Sequence, residues 1–503
     1  MKTLQKGIRN KFIRVPFFMK TRIHIPLVLA VLTLISCDKG KILDNHPPET
    51  NLFVTSIQLQ GDYRLSSRVE LHWDGSDEDG YVKGYEFSFD QSVWNFTAAA
   101  DSTFIFTIPP GTDTLDYDFW IRAVDNLGLR DPSPDYIRIP VKNTPPVMSF
   151  DSVFAMPDTV HFVIAMKWIA DDADGYENID SLYIQLNQGD WFPIRPGTDF
   201  AICVAADPAA TGSGFGNLHT GIPAAPQPGQ INELICNGDN FVILRAKDVS
   251  GAYSIPDTSK IFFVKNKTAD LLVIDSYKSG GTDPESVYSP ILASIPGGYD
   301  YINIERNNGE MLPQPVNPAL GFVLNEYEKV FWYSDASARD DGIAETNDLM
   351  YIETAAQAIQ DYLNNGGKFL MTARLPLSFE NTSSVFDYSP MDSVSTAPGQ
   401  ARIVQGQLQM PFGAFSPSFD TLESNTFITG AQPFYPKDSS HIMFTSQLTP
   451  VLGWTGPDII AARTTNAGNT NFVFMSVALH ELNARPGTVS TFILNVLNNE
   501  FAW

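Results

Sequence analysis

Two hydrophobic rhythms divide the chain. In its first half apolar and polar residues alternate, as in Val69-Glu-Leu71-His-Trp73 and Tyr85-Glu-Phe87-Ser-Phe89. Phe119, Ile121 and Ala123 continue the pattern, as do Val242, Leu244 and Ala246. A period of two turns one strand face to a core and the other to water, and short strands with turns between them predict β-sandwiches. From Lys267 the rhythm changes. Leu271-Leu-Val-Ile274, Tyr301-Ile-Asn-Ile304, Val330-Phe-Trp-Tyr333, Phe369-Leu-Met-Thr372 and Asn471-Phe-Val-Phe-Met475 read as strands. The most continuously apolar of them are what a parallel sheet covered on both faces requires. Leu349, Ile352, Ala355, Ala356, Ile359 and Leu363 recur at helical spacing, and Asn364-Asn-Gly366-Gly367 ends that helix. A closing helix is expected around Val489 to Leu497. The pattern thus predicts two all-β sandwiches followed by an α/β domain.

The alternating half is a duplication. Trp73-Asp-Gly-Ser-Asp77-Glu-Asp79-Gly80 recurs as Trp168-Ile-Ala-Asp-Asp172-Ala-Asp174-Gly175. Arg122-Ala-Val-Asp125-Asn-Leu-Gly128 recurs as Arg245-Ala-Lys-Asp248-Val-Ser-Gly251. Asn45-His-Pro47-Pro48 precedes the first unit and Asn143-Thr-Pro145-Pro146 the second, and Pro-Pro favours an extended linker. These units resemble fibronectin type III or related immunoglobulin-like modules of bacterial envelope proteins. The resemblance covers 48–142 and 146–265, with a Cys-containing insertion at 188–238 that is a candidate contact surface.

The last region, 268–503, resembles the class I glutamine amidotransferase-like, flavodoxin-like fold. Its most specific pieces are Asn-Gly-Gly-Lys-Phe-Leu-Met at 365–371 and Phe-Val-Phe-Met-Ser-Val-Ala-Leu-His-Glu-Leu at 472–482. The resemblance implies a three-layer α/β domain. Its stretch 376–470 is expected to contain its own small β-structure, inserted in the α/β domain and covering the carboxyl edge of the sheet. Enzymes of that family carry a nucleophilic cysteine in a glycine-flanked elbow. Here the corresponding segment reads Thr372-Ala-Arg374-Leu-Pro376-Leu-Ser378, without cysteine or elbow. Amidotransferase chemistry of the usual kind is excluded. The remaining catalytic candidates are His480, Glu481 and Ser378, with Ser334 behind them; on an extended segment His480 and Glu481 point to opposite faces.

At the amino end, Lys20 and Arg22 precede an apolar run from Pro26 to Ile35, and Leu34-Ile35-Ser36-Cys37 closes it. Basic, apolar, then small residues describe a secretory signal. With Cys37 at the cut it resembles a bacterial lipoprotein signal, which implies a signal peptide at 1–36, acylation (palmitate) of Cys37 and an acylated linker at 37–47. Met19 opens a compact version of the same signal and is the expected start. Export attached to a bacterial membrane, the outer membrane by preference, follows from the resemblance.

The chain has 33 basic and 57 acidic side chains, a formal net charge of −24. Loss of 1–36 removes seven basic residues and no acidic one, leaving −31. Such a surface repels polyanions, so nucleic acid is excluded as a partner. Cys203 and Cys236 are expected to pair in an oxidising compartment; the alternative is two buried thiols. Zinc and redox motifs are absent from the sequence.

The Asp-x-Asp-Gly turns pose a calcium question. Asp77, Asp79 and Glu86 in the first repeat, with Asp172 and Asp174 in the second, are oxygen donors of the right kind. Gly75, Ala170 and Ser181 stand where further ligands belong, and an Asp-Gly turn joining two strands is the competing reading. Trp94 and Trp191 are candidate sugar platforms or buried core. Asp275 and Asp335 fall at strand carboxyl ends, where open α/β sheets bind ligands, with Asp340 and Asp341 nearby. The function expected is a non-catalytic, membrane-anchored envelope lipoprotein that binds a protein or glycan. An extracytoplasmic hydrolase acting through His480 is the alternative, and a structural subunit a third.

Overall fold

The computed structural model describes residues 44–501, apart from 55–58, 61–63, 110–111, 113, 153, 155, 279–282, 305–318, 338–348 and 416–417. The lipoprotein signal, Cys37, Asp340 and Asp341 lie outside the described residues. The described chain is mostly strand and divides into two compact units.

The first unit holds described residues 44–54, 71–102 and 118–138. Glu49–Val54 runs antiparallel to Arg68–Ser76, with Leu52 opposite Trp73. Val82–Ser88 runs antiparallel to Thr114–Asp125, with Phe87 opposite Ile121 and Tyr85 opposite Ala123. The alternation sends Leu71, Trp73, Tyr85, Phe119, Ile121 and Ala123 inward, all buried. Trp73 meets Phe119 with ring centres 6.1 Å apart and Tyr85 edge-on at 6.2 Å, closing the space between the two sheets.

The second unit contains the second repeat and the rest of the chain. Here Ile179–Leu186 and Val242–Asp248 pair antiparallel within a four-stranded sheet. Against it stands a five-stranded antiparallel sheet of Val147–Phe150, Val163–Asp171, Phe200–Ala205, Gly212–Thr220 and Ala225–Cys236. The 188–238 insertion is therefore largely strand.

The Cys203–Cys236 bridge is not formed. Both thiols are free and buried. Cys203 lies opposite Leu218, Cys236 opposite Gly212, and the Gly212–Thr220 strand runs between theirs. Strands on either side of a third lie roughly 9.5 Å apart, beyond the Cα separation of about 4.4–6.8 Å that a disulfide spans. Burial pushes the Cys203 thiol up to about 12, so it is chemically quiet.

From Leu271 onward five parallel strands lie side by side in the order Asp300–Asn303, Leu271–Ser276, Lys329–Ser334, Lys368–Ala373 and Asn469–Met475. Alternate residues serve two cores. Leu272, Ile274, Val330, Trp332, Phe369 and Met371 join the helices Ala319–Leu324 and Ala356–Asn364. Val273, Phe331, Tyr333, Leu370 and Val473 join the helices Pro284–Leu292 and Thr488–Asn495. The helix expected over 349–363 is two, Tyr351–Thr354 and Ala356–Asn364, meeting at Ala355.

The 376–470 stretch is rich in strand, and part of it extends the main sheet. Ile459–Asn466, His441–Ser446, Leu408–Pro411 and Leu422–Glu423 add antiparallel to the free side of Asn469–Met475, making nine strands in all. Its five other described strands form two small sheets.

Candidate functional site

The carboxyl end of the parallel sheet carries most of the catalytic and ligand candidates. Asp275 is fully buried: its Oδ1 accepts the N–H of Tyr277, and its Oδ2 accepts Tyr301 Oη at 2.8 Å and Asn303 Nδ2 at 3.3 Å. Asp335, 1% exposed, accepts the N–H groups of Lys278 and Ser337, both at 2.9 Å. These carboxylates tie down the turns after their strands. Ser334 is buried and donates to the Asp335 carbonyl.

His480 and Glu481 sit on a 3₁₀ turn, Leu479–Leu482, rather than on an extended segment. Thr372 pins that turn: its Oγ1 donates to the Val477 carbonyl at 2.7 Å and accepts the Leu479 N–H at 3.0 Å. His480 is 1% exposed. Its ring packs edge-on against Tyr277 at 4.8 Å and Tyr288 at 5.7 Å, with Nδ1 3.3 Å from Tyr288 Oη. The backbone N–H of His480 donates to the same hydroxyl at 2.9 Å. A ring so enclosed offers no face to a substrate. Burial pushes the Glu481 carboxyl up, opposed by the charge of Arg374, and its Oε2 is a buried acceptor with no hydrogen-bond partner. Burial likewise holds Tyr277 up at about 12 and Tyr288 well above the ordinary phenol. Ser378 lies in an exposed turn, and no hydrogen bond brings it to His480.

The duplicated turns are the other candidates, and the structure matches them atom for atom. Trp73 Nε1 donates to the Ala99 carbonyl at 2.8 Å and Trp168 Nε1 to the Thr198 carbonyl at 2.9 Å. One turn further on, the Asp79 N–H reaches Asp77 Oδ1 and the Asp174 N–H reaches Asp172 Oδ1. Asn45 Nδ2 donates to Asp125 Oδ2, and Asn143 Nδ2 to Asp248 Oδ2 at 2.6 Å. The His46 N–H meets the Asp79 carboxylate and the Thr144 N–H meets Asp174 Oδ2. Sequence reasoning named Asp77, Asp79, Asp172 and Asp174 but missed Asn45, Asn143, Asp125 and Asp248. Their signal was the duplicated Asn-x-Pro-Pro and Arg-Ala-x-Asp motifs, read there as boundaries and repeat markers.

Asp172, Asp174 and Asp248 are all buried. Burial, with the charges of Asp174 and Asp248, raises Asp172 to about 6. Burial also raises Asp77, helped by Asp79 and Asp125. Glu86 takes no part: its carboxylate accepts Arg122 Nη2 at 2.7 Å and Arg130 Nε at 2.9 Å. Among the described residues no group of three or more His, Cys, Asp or Glu side chains is arranged to hold a metal ion by itself. Trp94 and Trp191 are neither core nor open platforms, for each half-buried ring carries a guanidinium 3.9 Å above it, from Arg122 and Arg245.

No protein-family model matches the chain, and no curated protein matches it. Solved structures similar to it include a two-domain fibronectin type III segment of chicken tenascin, at 13% identity over 43% of this chain and 99% of that one, with a TM-score of 0.18. Fibronectin(III)-like modules of Clostridium thermocellum CbhA match at 16% over 43% of this chain and 94% of theirs, with a TM-score of 0.16. The PKD1 domain of Vibrio anguillarum Epp matches at 15% over 20% of this chain and all of its own, with a TM-score of 0.15. Such scores carry nothing about function, and the sandwich architecture of the repeats rests on their own strand pairing.

Proposed function

We propose that this protein is a lipid-anchored envelope protein that binds a protein or glycan and does no catalysis. Acylated Cys37 attaches it to a bacterial membrane, by preference the outer one, and two fibronectin type III-like sandwiches form a stalk. The last region is a degenerate class I glutamine amidotransferase-like domain. The five parallel strands in the order second, first, third, fourth, fifth, with helices on both faces, support the flavodoxin-like reading.

One observation carries the absence of catalysis. His480, the best-placed base, is 1% exposed between two tyrosines, while a general base has to reach its substrate's proton. Binding has a candidate surface in 376–470, where Leu377, Met410, Phe412, Phe427, Tyr435 and Leu452 are exposed apolar side chains. Two measurements test the reading. Labelled palmitate is expected to enter the protein and its membrane fraction, and Cys37→Ser to abolish both; label retained in that variant removes the anchor. Retention on isolated envelope glycan or protein is expected to fall at least tenfold in Phe412→Ala/Phe427→Ala and to survive in His480→Ala. The reverse pattern points to the hydrolase.

A further inference from the structure

Each repeat places equivalent aspartates and an asparagine around the same turn, and in each copy the first aspartate of the turn has an oxygen left over. Asp172 is 4% exposed; its Oδ1 accepts the Asp174 N–H, whereas its Oδ2 is buried with no hydrogen-bond partner. Thr144, whose N–H binds Asp174, has a buried Oγ1 that is also without a partner. In the first repeat Asp77 Oδ2 is the corresponding buried, unpartnered oxygen. Gly80 stands against it so closely that a Cβ there would collide with Asp77 Oδ2 and Asn126 Oδ1. A carboxylate oxygen shut away from water and beside further carboxylates is strongly unfavourable unless a proton or a cation compensates it. The duplicated turn leaves such an oxygen in both copies, at equivalent positions.

We propose that each repeat binds one hard divalent cation of the calcium class at this turn, through Asp77, Asp125 and Asn45 in the first and through Asp172, Asp248, Asn143 and Thr144 in the second. Every donor is oxygen once the Asn45 and Asn143 amides, whose Nδ2 groups donate to Asp125 and Asp248 here, turn their Oδ1 to the ion, and such a set selects a hard ion. Calcium fits better than magnesium, because two carboxylates with irregular neutral oxygens and water suit its flexible coordination, not a strict octahedron. The small number of charges predicts weak sites, with dissociation constants of about 10⁻⁴ to 10⁻³ M as in extracellular modules. Asn45 and Asn143 belong to the segments that lead into each sandwich, so the ion fastens each leading segment to the turn and to the Asp125 or Asp248 strand end. This inference does not depend on the lipid anchor or on the binding partner.

Calorimetric titration of the EDTA-stripped full chain with calcium chloride tests it. Two ions per chain are expected, one in Asp77→Asn, one in Asp172→Asn and none in the double variant. Asparagine keeps the shape and the turn's backbone bond. Thr144→Val removes only the orphan hydroxyl, and is expected to weaken one site several-fold while the other is unchanged. Calcium is also expected to raise the thermal midpoint of the parent chain and not that of the double variant. No binding by the parent chain at about 10 mM calcium, well above the expected range, overturns the proposal. So does a double variant that still binds two ions, since they then lie elsewhere.

Discussion

Glu86 and Tyr183 occupy the same place in the two repeats, facing Arg122 and Arg245 across their sheets. In the first repeat the arginine is held by charge, since Glu86 accepts both Arg122 and Arg130. In the second it is held by rings: Arg245 lies 3.9 Å over Trp191, 4.3 Å over Tyr253 and 5.3 Å over Tyr183. The hydrogen bond from Arg130, outweighing burial and aided by Arg122, lowers the Glu86 carboxyl below its ordinary value. A lowered folded value contributes stability that is present above the unfolded value, about 4.3, and lost as pH falls through the folded one. Glu86→Gln is therefore expected to destabilise the chain by about 1–2 kcal/mol at pH 7, the range for a charged hydrogen bond near a surface. The gap to the parent should close below about pH 4. Urea melts at both pH values check it, and a gap that persists unchanged in acid means the carboxylate is not the group responsible. None of this was legible in the sequence, where Glu86 was a plausible cation ligand: which partner a carboxylate takes depends on the strand laid beside it.

At the scale of elements, the sequence was most readable where local pattern and burial coincide. Alternation located the sandwich strands, and the strongly apolar runs located the parallel ones, because side-chain period follows directly from which faces are covered. Trp73 and Trp168 mark the same strand in each repeat, both nearly inaccessible, with indole N–H groups bonded to equivalent carbonyls. Trp168→Ala removes the ring, leaves a cavity between the sheets and strands the Thr198 carbonyl; a loss of about 3–5 kcal/mol is expected. Trp168→Phe, which fills most of the space, should recover more than half of that loss. Equilibrium unfolding of the two variants checks it, and equal losses mean that the hydrogen bond rather than the packing dominates. Where pattern was silent, the reading failed. Strands Ile459–Asn466 and His441–Ser446 pair with the main sheet through register that no local period specifies. The cysteines were read from compartment and count, and a strand runs between theirs. The acidic turns were half readable, since Asn143 meets Asp248 across 105 residues.

At the scale of the molecule, the second sandwich and the parallel sheet do not keep separate interiors. One buried cluster runs from Trp168, Leu182 and Leu244 to Leu320, Val330 and Ile359. Phe162 of the sandwich meets Tyr327 with ring centres 6.0 Å apart, and His219 meets Phe322 at 4.5 Å. The segment between them is held as well: the Lys267 N–H donates to the Pro208 carbonyl at 2.7 Å, and Lys267 Nζ lies 5.5 Å from the Tyr327 ring. The change of hydrophobic rhythm at Lys267 marks a change of architecture, and a sequence cannot say whether two architectures share a core, since that depends on faces meeting from distant segments. A shared core of this kind couples the two parts, because unfolding either one exposes apolar surface of the other. The fragment 146–501 is accordingly expected to unfold in one transition, with far-ultraviolet circular dichroism and tryptophan fluorescence giving the same urea midpoint. The fragment 146–265 alone should expose Phe162 and His219, and unfold at a lower urea concentration. Replacing Tyr327 and Phe322 by alanine within 146–501 should split the single transition into two. Two separated transitions in the parent fragment would mean that the sandwich and the parallel-sheet region are independent bodies in contact, and that the junction contributes position without cooperativity.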